Sequence, residues 1–240
     1  MDLEDLRAVS YTATQSQVLS SYRAGLFPMG IGGGGTGRMG WWAPRHRGVL
    51  LPDDLKVSKS LRKSMRHFDF SVNADFERVI RSCADPSRSG SWITEEIIAL
   101  YRGLHEDGWA HSVEVWSEGE IVGGLYGVAI GSLFAGESMF HTKRDASKAA
   151  LAHLVSLFDD EEAGHDASSA TEGSTSSTVD SERAVTSDEA PSGAHRWLID
   201  TQWQTSHLAT LGVSEIGGLE YSSRLEHALR GDRCQVILNK

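Results

Sequence analysis

The chain has 240 residues, of which 40% are hydrophobic and 23% charged, and its formal net charge is −10. This length suffices for one large domain, or for a main domain with a small one beside it. No apolar run approaches the roughly 18 to 20 residues that cross a bilayer, and the acidic N-terminus lacks the pattern of a secretory signal. We therefore expect a cytoplasmic protein with no membrane partner.

The only cysteines are Cys83 and Cys234, which lie far apart and outside any zinc-ligand spacing. This pattern predicts reduced thiols, with neither a disulfide framework nor a metal site.

The glycine-rich stretch 30–37 is the first distinctive segment along the chain. It lacks the GK[ST] ending of a phosphate-binding loop, and no strand precedes it and no helix follows it. We expect a flexible surface loop. Trp41 and Trp42 follow, and with Trp92 they offer flat surfaces on which an unpaired base can stack, although tryptophan is equally good core material.

Helices are predicted next. Basic residues at near-helical spacing form a stripe that either contacts phosphates or is a solvated helix face: Lys56, Lys59, Arg62, Lys63 and Arg66. An amphipathic helix is predicted over Asn73–Ala84, with Asn73 as its cap. A second begins after Thr94 and ends before Gly108.

The pattern from Ala110 to Phe140 changes to alternation, which predicts an antiparallel meander of three strands. Its glycines are more numerous than ordinary strands tolerate, and they suggest close approach by a ligand or another backbone. A helix follows to about Phe158, then a short strand at 197–200 and two terminal helices. This order predicts an α+β domain whose sheet is covered on its faces.

The negative charge is concentrated between Asp159 and Ala190, where ten acids and one base give −9, so the rest of the chain carries about −1. The segment is rich in Ser, Thr, Gly and Ala and cannot bury enough surface to offset the entropy of ordering. We predict a disordered insertion at about 159–195.

Two positions are candidates for chemistry. Glu137 lies in a glycine-rich strand beside apolar residues, where it either orients an amine or is simply exposed on an edge strand. Asp200 and Gln202 follow an apolar strand, and alternation places both side chains on one face. They can hold and relay a proton from an attacking amine, or merely cap the next helix.

The amino-acid sequence of these segments resembles that of the leucyl/phenylalanyl-tRNA–protein transferase family. The resemblance covers nearly the whole chain except the N-terminal tip, the glycine stretch and the acidic segment, and it is most specific at AHSVEVW, GGLYGVA, GESMF and LIDTQ. It implies a C-terminal domain at 51–240 similar to the acyl-CoA N-acyltransferase (GNAT) fold, with a small N-terminal domain at 1–50.

The resemblance also implies a reaction and its partners. The α-amine of an N-terminal Arg or Lys of an acceptor protein attacks the ester of Leu-tRNA or Phe-tRNA, or less typically Met-tRNA, and a peptide bond forms that marks the acceptor for N-end-rule degradation. Because the ester is already activated, no cofactor or metal is expected. A monomer is expected.

Site residues are implied position by position. The family's pocket for the transferred aminoacyl group corresponds in this sequence to Leu125, Phe134, Glu137 and Leu154. Asp200 and Gln202 match an Asp-x-Gln pair that polarises the acceptor amine. The tRNA end is assigned to Trp92 at the terminal adenosine, with Lys59 and Lys63 facing the acceptor stem.

The chain departs from the family at three places. Met29 stands where the family usually has a tryptophan that supports the terminal adenosine, so Trp41 or Trp42 is expected to substitute. Leu154 stands where relatives often have an aromatic residue. The acidic insertion is expected to project away from the tRNA.

Two alternatives stand beside this interpretation. One is an acyl-CoA N-acetyltransferase on the same scaffold, although the sequence lacks the Q/R-x-x-G-x-G/A pyrophosphate loop. The other is a non-catalytic module that binds tRNA ends or N-degrons, which Glu137, Asp200 and Gln202 disfavour.

Overall fold

The computed structural model describes residues 3–88, 92–160 and 197–239. Within them the strands are β1 Leu6–Ser10, β2 Phe27–Gly30, β3 Met39–Trp42, β4 His46–Leu50, β5 Asp69–Val72, β6 Ala110–Ser117, β7 Glu120–Ile130, β8 Leu133–His141, β9 Leu198–Gln202 and β10 Ser214–Gly217. The helices are α1 Gln15–Arg23, α2 Lys59–Met65, α3 Phe76–Cys83, α4 Glu95–Glu106, α5 Ala146–Asp160, α6 Ser206–Ala209, α7 Gly218–Arg230 and α8 Arg233–Leu238.

Seven strands form one mixed sheet in the order β10-β4-β9-β8-β7-β6-β5, and β1-β3-β2 form a small antiparallel sheet. Within the large sheet β8 and β9 are parallel, whereas the other neighbours are antiparallel. Helices cover both faces, so the predicted α+β class is confirmed.

Strand alternation divides the core between the two faces of the large sheet. Phe134 and Ile199 point to the side covered by α2, α5 and α8. Leu133 and Leu198 point to the opposite side, against α7. On that second side the core continues under α1, α3 and α4 and includes Trp42 of the small sheet. The small sheet and the large one therefore share one hydrophobic cluster.

The meander and α4 form as predicted. Thr94 caps α4 by accepting a hydrogen bond from the backbone N–H of Ile97, and Gly108 follows the helix with a positive φ of 75°. The predicted cap of α3 is wrong, because Asp75 caps that helix. Asn73 instead has φ 57°, and its side chain accepts a hydrogen bond from the N–H of Ser112.

Two further predictions need correction. The boundary at residue 50 is wrong because β4 is an inner strand of the large sheet, so the small unit ends before His46. The glycine stretch follows β2 and is largely at the surface as predicted, but two of its glycines are packed closely against neighbouring backbone. A Cβ on Gly35 would lie 2.1 Å from the carbonyl oxygen of Trp92, and one on Gly37 would lie 2.1 Å from that of Ile31. Only glycine allows these approaches.

The predicted acidic insertion lies almost entirely outside the described residues. Its flanks are close together, since Trp197 Nε1 donates to Asp159 Oδ1 at 2.9 Å. Cys83 and Cys234 are free and buried. Within the described part of the chain, no helix combines the length and apolarity that a membrane span requires.

Candidate active site

A cleft opens where β8 and β9 separate. The two parallel strands pair at Leu133↔Leu198, Phe134↔Ile199 and Ala135↔Asp200, and the pairing ends there. Because parallel strands present their carboxyl ends at the same edge, the residues beyond these pairs surround a common space. That space is a cavity of about 230 Å³.

A β-bulge at Glu137 marks the point of separation. On the other side of β8, Tyr126 pairs with Ser138 and Gly127 pairs with Gly136, so Glu137 is the extra residue. Bulges redirect a side chain and are common beside active sites. Glu137 is turned so that its carboxyl both lines the cavity and reaches the tyrosines of α1 and α4.

Glu137 closes a ring of three hydrogen-bonding groups. The hydroxyl of Tyr22 lies 2.6 Å from Oε1, that of Tyr101 lies 2.9 Å from Oε2, and the two hydroxyls are 2.6 Å apart. Two phenols supply two hydrogens for three contacts. A protonated Glu137 supplies the third, so the ring is fully satisfied only when the carboxyl is neutral.

The neighbours of Glu137 shift its pKa in opposite directions. Burial raises the pKa of Glu137 to about 7, the nearby charge of Asp200 adds to the rise, and the tyrosine hydrogen bonds and Arg47 oppose it. Glu137 is therefore poised to change charge near neutral pH.

Asp200 has very different surroundings. It is completely buried and forms a bidentate ion pair with Arg47, whose Nε and Nη2 lie 2.8 Å and 2.5 Å from its oxygens. The hydroxyl of Tyr221 and the backbone N–H of Gln202 also donate to it, at 2.8 Å and 2.9 Å. Four donors use its acceptor capacity, so Asp200 has no lone pair left to take a proton from a substrate.

Gln202 lines the cavity, whereas Asp200 does not. Alternation predicts both on one face, but Gln202 has φ 60°, which breaks the strand geometry and turns its side chain toward the cavity. Asp200 holds this left-handed conformation by accepting the Gln202 N–H. Asp200 therefore orients Gln202 through the backbone.

The wall of the cavity opposite these polar groups is apolar. Leu125 and Phe134 line it, as do Met139, Leu151, Ile199 and Leu208. Leu154 does not. It is fully buried in the cluster behind the wall, and Leu151, one helical turn earlier on α5, takes the lining position.

The tryptophans do not gather at the cavity. Trp42 is completely buried and its Nε1 donates to the carbonyl of Met29, while Trp41 is only 8% exposed. Neither offers a free ring face, so the expected substitution of Trp41 or Trp42 for the missing platform is not supported. Met29 is buried as well. Trp92 remains partly exposed, next to Gly35.

Lys59 and Lys63 are exposed on one side of α2, one turn apart. They lie outside the cavity lining, on the face of the sheet that carries α5.

Several site residues give no signal in the sequence. Tyr22, Tyr101, Arg47 and Tyr221 hold the two carboxylates from four separate elements. Arg88 lines the cavity and donates to the carbonyls of Cys83 and Met139. The nearest hint is Arg47 itself, a base shortly before the apolar residues Val49 and Leu50 of β4.

The chain matches known proteins over most of its length. A family model for leucyl/phenylalanyl-tRNA protein transferase matches residues 49–173. The leucyl/phenylalanyl-tRNA–protein transferase of Nitrosospira multiformis is 39% identical over 92% of this chain and 82% of its own. The one from Nitrosomonas europaea is 38% identical over 92% and 80%, and that from Maricaulis maris is 39% identical over 89% and 85%.

Among solved structures, a GCN5-related N-acetyltransferase-like protein from Streptococcus suis overlaps 48% of this chain and 47% of its own, with a TM-score of 0.27 and 14% identity. The sequence matches define the class, which is that of an aminoacyltransferase. The chain belongs to the leucyl/phenylalanyl-tRNA–protein transferase family.

Proposed function

We propose that this protein moves leucine or phenylalanine from aminoacyl-tRNA to the N-terminal Arg or Lys of acceptor proteins in the cytoplasm, which marks them for N-end-rule degradation. The family relationship supports the reaction class. The observation that carries the proposal is the cleft itself, in which one apolar wall faces a titratable carboxyl and an oriented amide at the point where two strands separate.

The apolar wall accounts for the choice of amino acid. A volume of about 230 Å³ is smaller than the clefts that enclose drug-sized ligands and fits one large side chain. Leu125, Phe134 and Leu151 bound it on the β7, β8 and α5 sides. A linear or ring-shaped side chain fills this space, and a β-branched one meets the wall near its own backbone. Methionine, which is unbranched, is an additional donor.

The chemistry requires little beyond positioning. The acceptor amine attacks the ester carbonyl, its nitrogen loses a proton, the peptide bond forms, and the 3′ oxygen of the tRNA leaves with a proton. An amine with a pKa near 8 is already partly neutral at pH 7. The side chain of Gln202 positions the amine, and Asp200 holds Gln202 in place without taking the proton.

Glu137 has a separate task. While it is neutral, the ring with Tyr22 and Tyr101 is satisfied; an ammonium group that enters the cleft favours the ionised form and gains a charged partner. Glu137 thus binds a substrate ammonium group. The terminal adenosine contacts Trp92 and the acceptor stem contacts Lys59 and Lys63. The protein works as a monomer with a small N-terminal unit and a larger transferase domain.

The direct test incubates the protein with labelled Leu-tRNA and three peptides that differ only in their first residue, Arg, Lys or Ala. Label is expected on the Arg and Lys peptides and not on the Ala peptide. Absence of label on the Arg and Lys peptides would overturn the proposal. Acetyl-CoA in place of the charged tRNA is expected to give no acetylated peptide.

Two variants test the assigned roles. Glu137→Ala and Gln202→Ala are expected to lower the single-turnover rate, because each removes a polar group from the cleft without leaving a charge unpaired. Leu154→Met is a matched control, since its side chain lies behind the cleft wall and Met is of similar volume. Unchanged rates in both cleft variants would refute the assignments.

A further inference from the structure

Cations extend from the mouth of the cleft to α2. His207 lines the cavity on α6, and its pKa is lowered by partial burial and by the charges of Lys148 and His141, which therefore lie close to it. Lys148, in the first turn of α5, is anchored to the same segment, because its Nζ donates to Thr210 Oγ1 at 3.0 Å. The first step away from the cleft is thus a lysine at the start of α5.

The loop before α5 supplies the next charges. Lys143 and Arg144 are both exposed, and Lys143 is held by a hydrogen bond to Ser117 Oγ at 2.8 Å. These residues share a surface cleft with His67 and Ser64 at the end of α2.

The loop is fixed to α2 by a hydrogen bond from Ser64 Oγ to Asp145 Oδ2 at 2.8 Å. On α2, Lys63 directly precedes Ser64 and Lys59 lies one turn earlier, while His67 follows the helix and lines the same surface cleft. The predicted tRNA lysines of α2 are therefore continuous with the loop.

Of the acids near this surface, two border it directly. Asp145 accepts from Ser64 and lies 3.8 Å from Arg144, so its charge is already partnered. Glu118 lies on the β6–β7 turn at the edge of the surface cleft. The basic residues along this surface are Lys59, Lys63, His67, Lys143, Arg144 and Lys148. This clustering of positive charge is unusual for a chain whose net charge outside its acidic segment is about −1.

We infer that these six residues form a phosphate track that holds the sugar–phosphate backbone of the donor RNA between the cleft and α2, with His67, Lys143, Arg144 and Lys148 as contacts beyond the two lysines predicted on α2. The inference rests on the proposed function, because the RNA end must reach the cleft. Repeated phosphates suit spaced lysines and arginines on an open surface. The acidic segment follows in sequence from the opposite end of α5, about 20 Å from its start for a helix of fifteen residues.

The test compares two double variants with the same change in net charge. Lys143→Ala/Arg144→Ala removes two cations of the track. Arg78→Ala/Arg102→Ala is the matched control, since both arginines are about half exposed and lie on α3 and α4 across the sheet. Binding of uncharged tRNA is measured from 50 to 200 mM salt, and transfer is measured with Leu-tRNA and with a leucyl ester of adenosine, which has no phosphate.

Each single-strand phosphate contact adds about 0.7 to the magnitude of the log–log salt slope. Loss of two contacts should lower that slope by about 1.4, so wild-type binding falls about sevenfold more than that of the track variant across this salt range. The rate of transfer from Leu-tRNA should fall relative to the rate from the adenosine ester in the track variant, and this ratio should stay unchanged in the control pair. An unchanged slope, or an equal change in the control pair, overturns the inference. The wild type with the adenosine ester tests the proposed function separately, because failure of that reaction leaves the binding result for uncharged tRNA intact.

Discussion

Asp200 and Glu137 stand on neighbouring strands at the same opening of the sheet, yet they are held in opposite ways. Asp200 is completely buried against a guanidinium and receives four hydrogen bonds. Glu137 is half-buried and faces two neutral phenols that lack the hydrogens to satisfy every contact. The surroundings therefore decide the role of each acid. Arg47 fixes Asp200 as the charged partner of an ion pair, whereas burial raises the pKa of Glu137 toward neutrality.

This difference assigns separate tasks within one site. A buried ion pair with all its acceptors used does not exchange protons during a reaction, but it orients what is bonded to it, which here is the backbone of Gln202. A carboxyl with a pKa of about 7 responds to an arriving cation. Each of the four substitutions below changes one partner or one carboxyl, from the largest expected effect to the smallest.

Arg47→Met is expected to have the largest effect. The substitution leaves Asp200 charged, buried and without its cation, which costs about 3 to 5 kcal/mol of the free energy of unfolding. It also removes the hydrogen bond from Arg47 Nη1 to the carbonyl of Gly25, which ties the small N-terminal unit to the site. Urea denaturation measures the loss. Arg47→Lys should recover part of it, and a loss below about 1 kcal/mol for Arg47→Met would mean that the pair is not the fixed charge described above.

Glu137→Gln tests the titrating carboxyl. In the folded protein the pKa of Glu137 is about 7 against an ordinary 4.5, so the folded state keeps a proton that the unfolded chain has lost between those pH values. The stability contributed by Glu137 is thus fully present below pH 4.5 and is lost as pH rises to 7. Relative to Glu137→Gln, the wild type should lose roughly 1 to 2 kcal/mol between pH 5 and 8, since partial exposure reduces the full linkage value. Urea denaturation of both proteins at each pH measures this loss. A wild type that gains stability relative to Glu137→Gln as the pH rises would contradict the prediction.

Tyr221→Phe removes one of the four donors to Asp200. The ring remains, and with it the contact with the Arg47 guanidinium, which lies 4.4 Å from the ring centre. Three donors still satisfy the carboxylate, so we expect a loss of only about 1 to 1.5 kcal/mol by thermal or urea unfolding. A loss as large as that of Arg47→Met would show that the phenol, and not the cation, stabilises Asp200.

Tyr101→Phe should have the smallest effect on stability at neutral pH but should move the titration. The hydrogen bond from Tyr101 to the carboxylate favours the ionised form of Glu137, whereas the contact between the two hydroxyls favours the neutral form. Because a hydrogen bond to a charged group is the stronger of the two, we expect its removal to raise the pKa of Glu137 further. The pH range over which stability is lost should shift upward by less than about one unit, measured by the same denaturation series. A downward shift would mean that Tyr101 stabilises the neutral carboxyl.

Local signals in the sequence were enough for the elements that depend on local chemistry. Thr94 and the two glutamates after it define the start of α4, and the alternation from Ala110 onward defines the meander. The prediction that Asn73 caps α3 is wrong because asparagine both caps helices and tolerates a positive φ. Only the contact with Ser112, 39 residues away, distinguishes these two roles.

The site itself depends on contacts that no local pattern contains. The bulge that turns Glu137 is a mismatch in pairing between two strands, and the ring around it joins residues 115 and 36 positions away. Strand alternation predicts the side chains of Gln202 and Asp200 on one face, but the left-handed backbone conformation of Gln202 turns its side chain away from that face. Resemblance to the family identified the two acids and the glutamine, but their different environments required the fold.

The hydrogen bond between Trp197 and Asp159 has a practical consequence for anyone who engineers this enzyme. It joins two described residues that flank the acidic segment, at the C-terminal end of α5. The composition of the residues between them predicts disorder, and the entropy of closing a loop grows only slowly with its length. We therefore predict that sequence can be removed or added there at small energetic expense. An affinity tag or a fluorescent domain inserted there should leave the enzyme able to fold around it.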